Sequence, residues 1–592
     1  MIVRRLLAAA TLLVAGTAAS AAQQDSVAGS GTAEPVPLPS PAPPAPPPTF
    51  VPLPRTERAP TIEAGGFLSR EDWWRCDGYA AADRRHDGMS RYSDLIVNVV
   101  PARMTPRFSR GGIAFCDAAL ADPRMLPGWS LRRANILQAR ALHKASARDF
   151  AGALADLASS DEAAGSDRYA VRSLRAANHL IRAWLQIESG ASADAVGTIG
   201  EAAASRPWDA GLQGLAAQLR LAATGRWEAF GQESRQLARL DPNRLILLYV
   251  LALTQGDFAQ AAALYPQINL VIPRNRGGYQ IDNMLARRVQ QMVVRADLRG
   301  AYAYALAASG LQSQALEQLA AARLDMDRAL QPPQPIAPRT EVTRAQRAEH
   351  EAFTVGGVRA RDSLDRWDRL VRLKGMTGER NYQQAYAELL RSPIGIDGPA
   401  LDIVRSLIAI APAPQAQLEE LSVEMTRAIA DQLDTMRRVT VADLFEALPE
   451  AETARGIPPY DGASDSWLSF DTEGYRVDPS QVQGAQTVRF ARSDGTVAIA
   501  GEMVLLRVAE LARQRGHRGF ILVGRRMVRR EMLAYGQRPG SGTPSGQEAE
   551  LDVVFVDPDR LPPDYASAGW RVVDAEQVWN ALSPLYPRPS RR

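Results

Sequence analysis

Residues 190–207 read GASADAVGTIGEAAASRP, residues 225–242 read GRWEAFGQESRQLARLDP, and residues 256–273 read GDFAQAAALYPQINLVIP. Each stretch opens on a glycine and closes on a proline seventeen positions later. Glycine adopts positive φ without a Cβ penalty, so Gly190, Gly225 and Gly256 predict tight turns between two helices. Proline lacks the amide N–H needed to continue a helix, so Pro207, Pro242 and Pro273 predict the end of the second helix. Five positions after each turn stand Ala195, Phe230 and Ala261; seven before stand Ala183, Gln218 and Tyr249. Small side chains at most of these places let the paired helices approach closely. Two more units fit without the proline, Arg148 with Ala141 and Ala153, and Gly310 with Ala303 and Ala315.

These units resemble the tetratricopeptide repeat, a helix–turn–helix of about 34 residues. The likeness rests on the Gly-to-Pro spacing, the alanines, and the aromatic residues after the turn, Phe150, Trp227 and Phe258. It covers about residues 130 to 330. Successive turns fall 42, 35, 31 and 54 residues apart, so the array is irregular. The resemblance implies an α-solenoid of helical hairpins that binds a protein or peptide on an extended concave face.

The helical periodicity continues after Pro-rich residues 331–338. A long charged helix is expected over 340–373, a second-helix fragment over 382–390, and further helices over 401–410, 415–436 and 441–448. Beyond Gly456-Ile457-Pro458-Pro459 the period changes to that of a small α/β or α+β domain. Strands are expected at 487–491, 519–530, 551–556 and 570–573, and helices at 503–515 and 575–582. Three stretches, Val488-Arg489-Phe490, the helix around Leu505–Leu511 and Gly516-His517-Arg518-Gly519-Phe520, resemble a C-terminal domain of uncharacterised bacterial envelope lipoproteins. That likeness covers some seventy residues and brings no known chemistry. The chain lacks the lipoprotein cysteine, so an anchor is not carried over. The expected division is signal peptide 1–21, Pro-rich linker 22–62, repeat domain 63–330, break 331–338, second helical block 339–456 and small domain 457–592. The small domain is expected to be a separate folding unit packed near the end of the helical stack, either as a cap, since an open apolar end is an aggregation hazard, or as a second binding surface through the Arg525–Arg530 strand, or as both.

Compartment is read from the N-terminus. Arg4-Arg5, an apolar run over 6–16 and Ala19-Ser20-Ala21 have the order of a secretory signal peptide. The apolar run is too short to span a bilayer, and no later run of 18 apolar residues occurs. Twelve of the forty prolines lie between Pro35 and Pro60, where polyproline II spacing would give residues 35–54 a reach of roughly 60 Å. Export would let the two cysteines, Cys76 and Cys116, form a disulfide. Closing that loop is worth about 4 kcal/mol in the chain-entropy model.

The 592 residues carry a net charge of +3, near +1 without the leader, with 46% hydrophobic and 23% charged residues. No basic excess points to nucleic acid. The histidines His86, His143, His179, His350 and His517 show no metal-ligand spacing; His86, beside Asp83 and Asp87, is expected to be a solvated surface residue. The Gly-rich residues 540–546 lack the lysine and following helix of a phosphate loop, and predict a hairpin loop. Arg525, Arg526, Arg529 and Arg530 flank Met527-Val528 on one strand. They predict either a contact for an anion or acidic partner, or protection of a sheet edge.

The expected function is therefore a non-catalytic exported scaffold or adaptor for a protein or peptide partner in the envelope, periplasmic or secreted, with no cofactor and no metal. Two other classes stay open: an envelope enzyme whose active site lies in the C-terminal domain, and a structural or assembly factor. The leader gives the first expected outcome. The intact mass of the native protein should lack the first 21 or so residues; a full-length mass from the envelope fraction excludes cleavage at this site.

Overall fold

The computed structural model describes residues 59–62, 68–79, 89, 105–269, 281–329, 344–392, 394–452, 454, 457–462, 474–492, 496–532 and 543–586. The expected signal peptide, most of the Pro-rich linker, the 331–338 break, His86, Pro273 and residues 540–542 lie outside them. Two entrance helices, α1 (Arg70–Asp77) and α2 (Arg110–Ala121), are joined by the disulfide Cys76–Cys116, with Cα atoms 4.8 Å apart. Both cysteines are buried with Trp73, Phe115 and Ile136.

Six helix pairs follow: α3 (Ser130–Ser146) with α4 (Phe150–Ala164), α5 (Ala176–Glu188) with α6 (Ser192–Ser205), α7 (Ala210–Thr224) with α8 (Trp227–Leu237), then α9 (Arg244–Gln255) with α10 (Phe258–Leu264), α11 (Ile281–Ala308) with α12 (Gln312–Ala329), and α13 (Arg344–Gly378) with α14 (Tyr382–Arg391). All the expected turn residues have positive φ: Arg148 at 65°, Gly190 at 88°, Gly225 at 66°, Gly256 at 79° and Gly310 at 84°. Arg380, at 57°, makes a sixth turn that the glycine spacing does not predict. In three pairs the residue after the turn caps the second helix. Asp149, Asp257 and Asn381 accept from the amides of Gly152, Gln260 and Gln384, as N-caps do. The register of small residues also holds. Ala153, Ala195, Ala261, Ala315 and Ala385 after the turns are fully buried, as are Ala141, Ala183 and Ala303 before them.

The second helical block is continuous with the first. Residues from α9 through α15 (Gly398–Ile410) and α16 (Ala416–Arg437) share one apolar cluster. The chain then returns along the face made by the first helices of the pairs. Leu433 and Met436 of α16 meet Ala217, Leu221 and Leu247. Val439 and helix α17 (Val441–Ala447), with Leu444, Phe445 and Leu448, pack on Leu142 of α3, Leu180 and Trp184 of α5 and Leu215 of α7. Ala451 reaches Leu131, Ala134 and Leu174 at the near end of the array. The face expected to hold a partner is thus covered by the protein's own residues over roughly 418–451.

The C-terminal domain is antiparallel, α+β rather than α/β. Its sheet has the order β1-β2-β4-β3-β5, formed by Gly474–Pro479, Gln486–Arg492, Thr543–Val556, Gly519–Met532 and Val573–Asp574. Helix α18 (Val497–Gln514) and helix α19 (Ala575–Leu582) cover one face over Phe490, Phe520, Leu522 and Val553. Strand β1, which reads GYRVDP and has no apolar run, is absent from the expectations above. Residues 563–571 form a 3₁₀ segment where a strand from Trp570 was expected. Strand β4 begins at Thr543, within the expected Gly-rich loop.

Ala261 tests the register of the pairs. Replacing it by Phe overpacks the α9–α10 crossing and should cost about 1–3 kcal/mol. The same change at exposed Ala263, two positions on, should leave the melting temperature unaltered.

Candidate functional site

The loops that join one pair to the next carry Tyr169, Arg172 and Ser173, then Arg206 to Asp209, then Leu240 to Asn243. A π-helical turn at Val171–Arg175 precedes α5 and carries Arg172 and Ser173. The C-terminal domain sits against this edge, midway along the array, and does not cap its end. Trp208, Ala210 and Leu240 of the array enter the domain's own core, which draws the domain to this edge.

A fully buried charge cluster forms the seam. Arg206 is 0% exposed. It donates from Nε and Nη2 to Glu502 of α18, at 3.0 and 3.1 Å, and from Nη1 to Glu452 at 2.9 Å. Arg172 donates to both Glu502 oxygens at 2.7 and 2.9 Å. Tyr586 gives its hydroxyl to Glu502 at 2.6 Å, and Thr496 gives its own to Glu452 at 2.5 Å. The Glu452 amide donates to Ser173 Oγ at 2.9 Å. One ion therefore binds three parts of the chain: the array, the returning segment and the C-terminal domain.

The two carboxyls shift in opposite directions. Burial pushes Glu502 up, but Arg206 and Arg172 outweigh it and hold the carboxyl below its ordinary 4.5. For Glu452 burial dominates the pull of Arg206 and Thr496, and the pKa rises. Opposed shifts are a mark of acid–base pairs in active sites. Here both side chains are 0% exposed.

Beside this cluster lies a cavity of about 500 Å³. Its walls are the first turns of α7 and α9, residues 446–450, the first turn of α18 at Thr496–Ala498, and Arg525 with Met527 of β3. Arg525 Nη1 donates to the Leu240 carbonyl at 2.9 Å, and Asn243 Nδ2 donates to the Arg525 carbonyl at 3.4 Å. Arg526 points to the other face of the sheet, where Nε donates to Glu550 at 2.7 Å and Nη2 lies 3.3 Å from Asp552. Arg529 and Arg530 pair in register with Gln547 and Gly546. Arg525 and Arg526 thus do not converge, and the side chains of Arg529 and Arg530 lie outside the described ones. Beyond Phe520 the second edge of β3 has no partner strand among the described residues, since β5 pairs only with Gly519 and Phe520.

His143 is buried. Its Nδ1 accepts from the Ser109 amide at 3.2 Å and its Nε2 lies 2.9 Å from the Cys76 carbonyl, which suits the neutral ring with the proton on Nε2. His179 and His517 lie beside Glu201 and Asp557. Among the described residues no group of three or more His, Cys, Asp or Glu could hold a metal ion, and no helix is long and apolar enough to cross a membrane.

Sequence reasoning misses Arg206, Arg172, Glu452 and Glu502. The acids stand 246 and 296 positions from Arg206, and the only local hint is an arginine directly before the helix-ending Pro207.

The seam governs stability against pH. Because the folded pKa of Glu502 is depressed, its contribution is complete above 4.5 and is lost as pH falls through the folded value. Glu452, raised, acts with the opposite sign: its contribution is complete below 4.5 and is lost as pH rises through its folded value. Glu502→Gln leaves Arg206 and Arg172 undercompensated and should cost about 3–5 kcal/mol at neutral pH. It should also flatten the acid limb of the stability profile measured by urea unfolding. Glu452→Gln should cost less and steepen that limb.

Comparison with known protein families, curated proteins and solved structures finds no match for this chain.

Proposed function

We propose that this protein is an exported, non-catalytic scaffold or adaptor that engages a protein or peptide partner in the cell envelope. The observation that carries the reading is the way the array holds its own chain. Leu444, Phe445 and Leu448 lie in the apolar trough of the first helices. Trp184 Nε1 donates to the Val439 carbonyl at 2.7 Å, as it would to a bound peptide. This is helix-in-groove recognition carried out within one chain. The Cys76–Cys116 bond suits an oxidising compartment, in keeping with the leader.

With that trough filled and locked by Glu452, the partner is taken on the outer side of the last pairs. Exposed apolar side chains on these helices are Leu316 and Leu324 of α12 at 43% and 51%, Val358 of α13 at 50%, and Leu390 of α14 at 68%. A photo-crosslinking residue placed at Leu324 or Leu390 of the full chain in intact cells should give one discrete protein adduct. The same residue at Val477 of the C-terminal domain serves as control. Adducts from Val477 alone, or from none of the positions, would overturn the reading.

A further inference from the structure

We propose that the cavity between the array and the C-terminal domain binds an anionic small molecule, whose carboxylate or phosphate group sits between Arg244 and Arg525. Many arginines of this protein are ion-paired, although buried Arg571 donates to the Leu522 carbonyl instead. Arg140, Arg172, Arg206, Arg220 and Arg526 all meet carboxylates. Arg244 and Arg525 line one cavity and neither forms an ion pair among the described residues. The side chain of Arg244 has no hydrogen-bond partner there, and Arg525 has only the Leu240 carbonyl. Both are half-buried. Their charges oppose one another. Burial, together with the nearby Arg525 charge, presses the Arg244 pKa below its ordinary value against the pull of Asp241. It nevertheless stays protonated. Asp241 offsets this charge only from beyond ion-pair distance, and two half-buried guanidiniums with no carboxylate in contact are costly unless an anion joins them.

The seats of both guanidiniums are shaped in the helices beneath. A Cβ on Gly214 of α7 would stand 1.9 Å from Arg244 Nη2, and one on Gly501 of α18 would stand 3.3 Å from Arg525 Nη2. Glycine inside a helix costs about 1 kcal/mol relative to alanine. The first turn of α18, at Val497 and Ala498, adds amide N–H groups that have no acceptor within the helix. The acidic groups on the walls have other work. Asp209 caps α7 and lies by Arg206, Asp241 accepts from Asn243, Glu446 accepts from Thr105, and Glu450 from Tyr79. The cavity exceeds the size of a bare oxyanion. Leu215, Leu448, Pro449 and Met527 offer apolar wall to the remainder of the ligand.

The test is calorimetric titration of the full chain with inorganic phosphate, and separately with acetate, at ionic strength held constant with sodium chloride. One saturable site is expected. Tighter phosphate binding would mark a phosphoryl ligand, and tighter acetate binding a carboxylate ligand. Arg244→Gln and Arg525→Gln should each weaken binding at least tenfold, the usual effect of losing a charge-assisted hydrogen bond. A second readout separates binding from folding. In anion-free buffer Arg244→Gln should melt at or above the temperature of the unaltered chain, because it removes an uncompensated charge, and the rise in melting temperature on adding the anion should vanish. No saturable binding of either anion, binding unchanged in both variants, or a lower melting temperature for Arg244→Gln without anion would each overturn the proposal.

Discussion

The buried guanidinium of Arg206 is the constraint on which the rest of the arrangement depends. A cation with no exposed surface persists only when its desolvation is offset by close, well-directed acceptors. Glu452 and Glu502 supply them from far along the chain. The middle edge of the array is therefore completed by the returning segment and by helix α18. Apolar contacts through Trp208, Ala210 and Leu240 bring the domain to the seam. The charge cluster then fixes its orientation, since hydrogen bonds demand direction where apolar area does not.

How much of this was legible in the sequence depended on range. The helix pairs were readable because a turn with positive φ and a close crossing each leave a local signature, a glycine and an alanine five positions on. The sixth turn, at Arg380, was not named, although a second-helix fragment was expected just after it at 382–390. Its second signature, a capping Asn381 followed by the aromatic Tyr382, matches Asp149-Phe150 and Asp257-Phe258 and would have found it. In the C-terminal domain the apolar strands β3 and β4 were readable. Strand β1, reading GYRVDP, lies at the sheet edge with much of its length half-exposed or exposed, so its alternation is weak. The cavity and the charge cluster were not legible at all, because each is assembled from residues hundreds of positions apart.

The same limit applies to the arginines of β3. Their clustering in sequence suggests one basic surface. Strand alternation sends Arg525 to the seam and Arg526 to Glu550 on the opposite face. What counts is then the meeting of Arg525 with Arg244, which no strand pattern reveals.

The path of α16 and α17 carries a mechanical consequence. An open solenoid touches only its neighbours, so it flexes like a spring and its ends can fray independently. Here one continuous stretch runs back from the last pairs to Ala451 beside the first pair. It acts as a longitudinal brace, in tension when the coil stretches and in compression when it tightens. Pairs far apart in the array are thereby coupled through one shared segment and restrained from flexing independently.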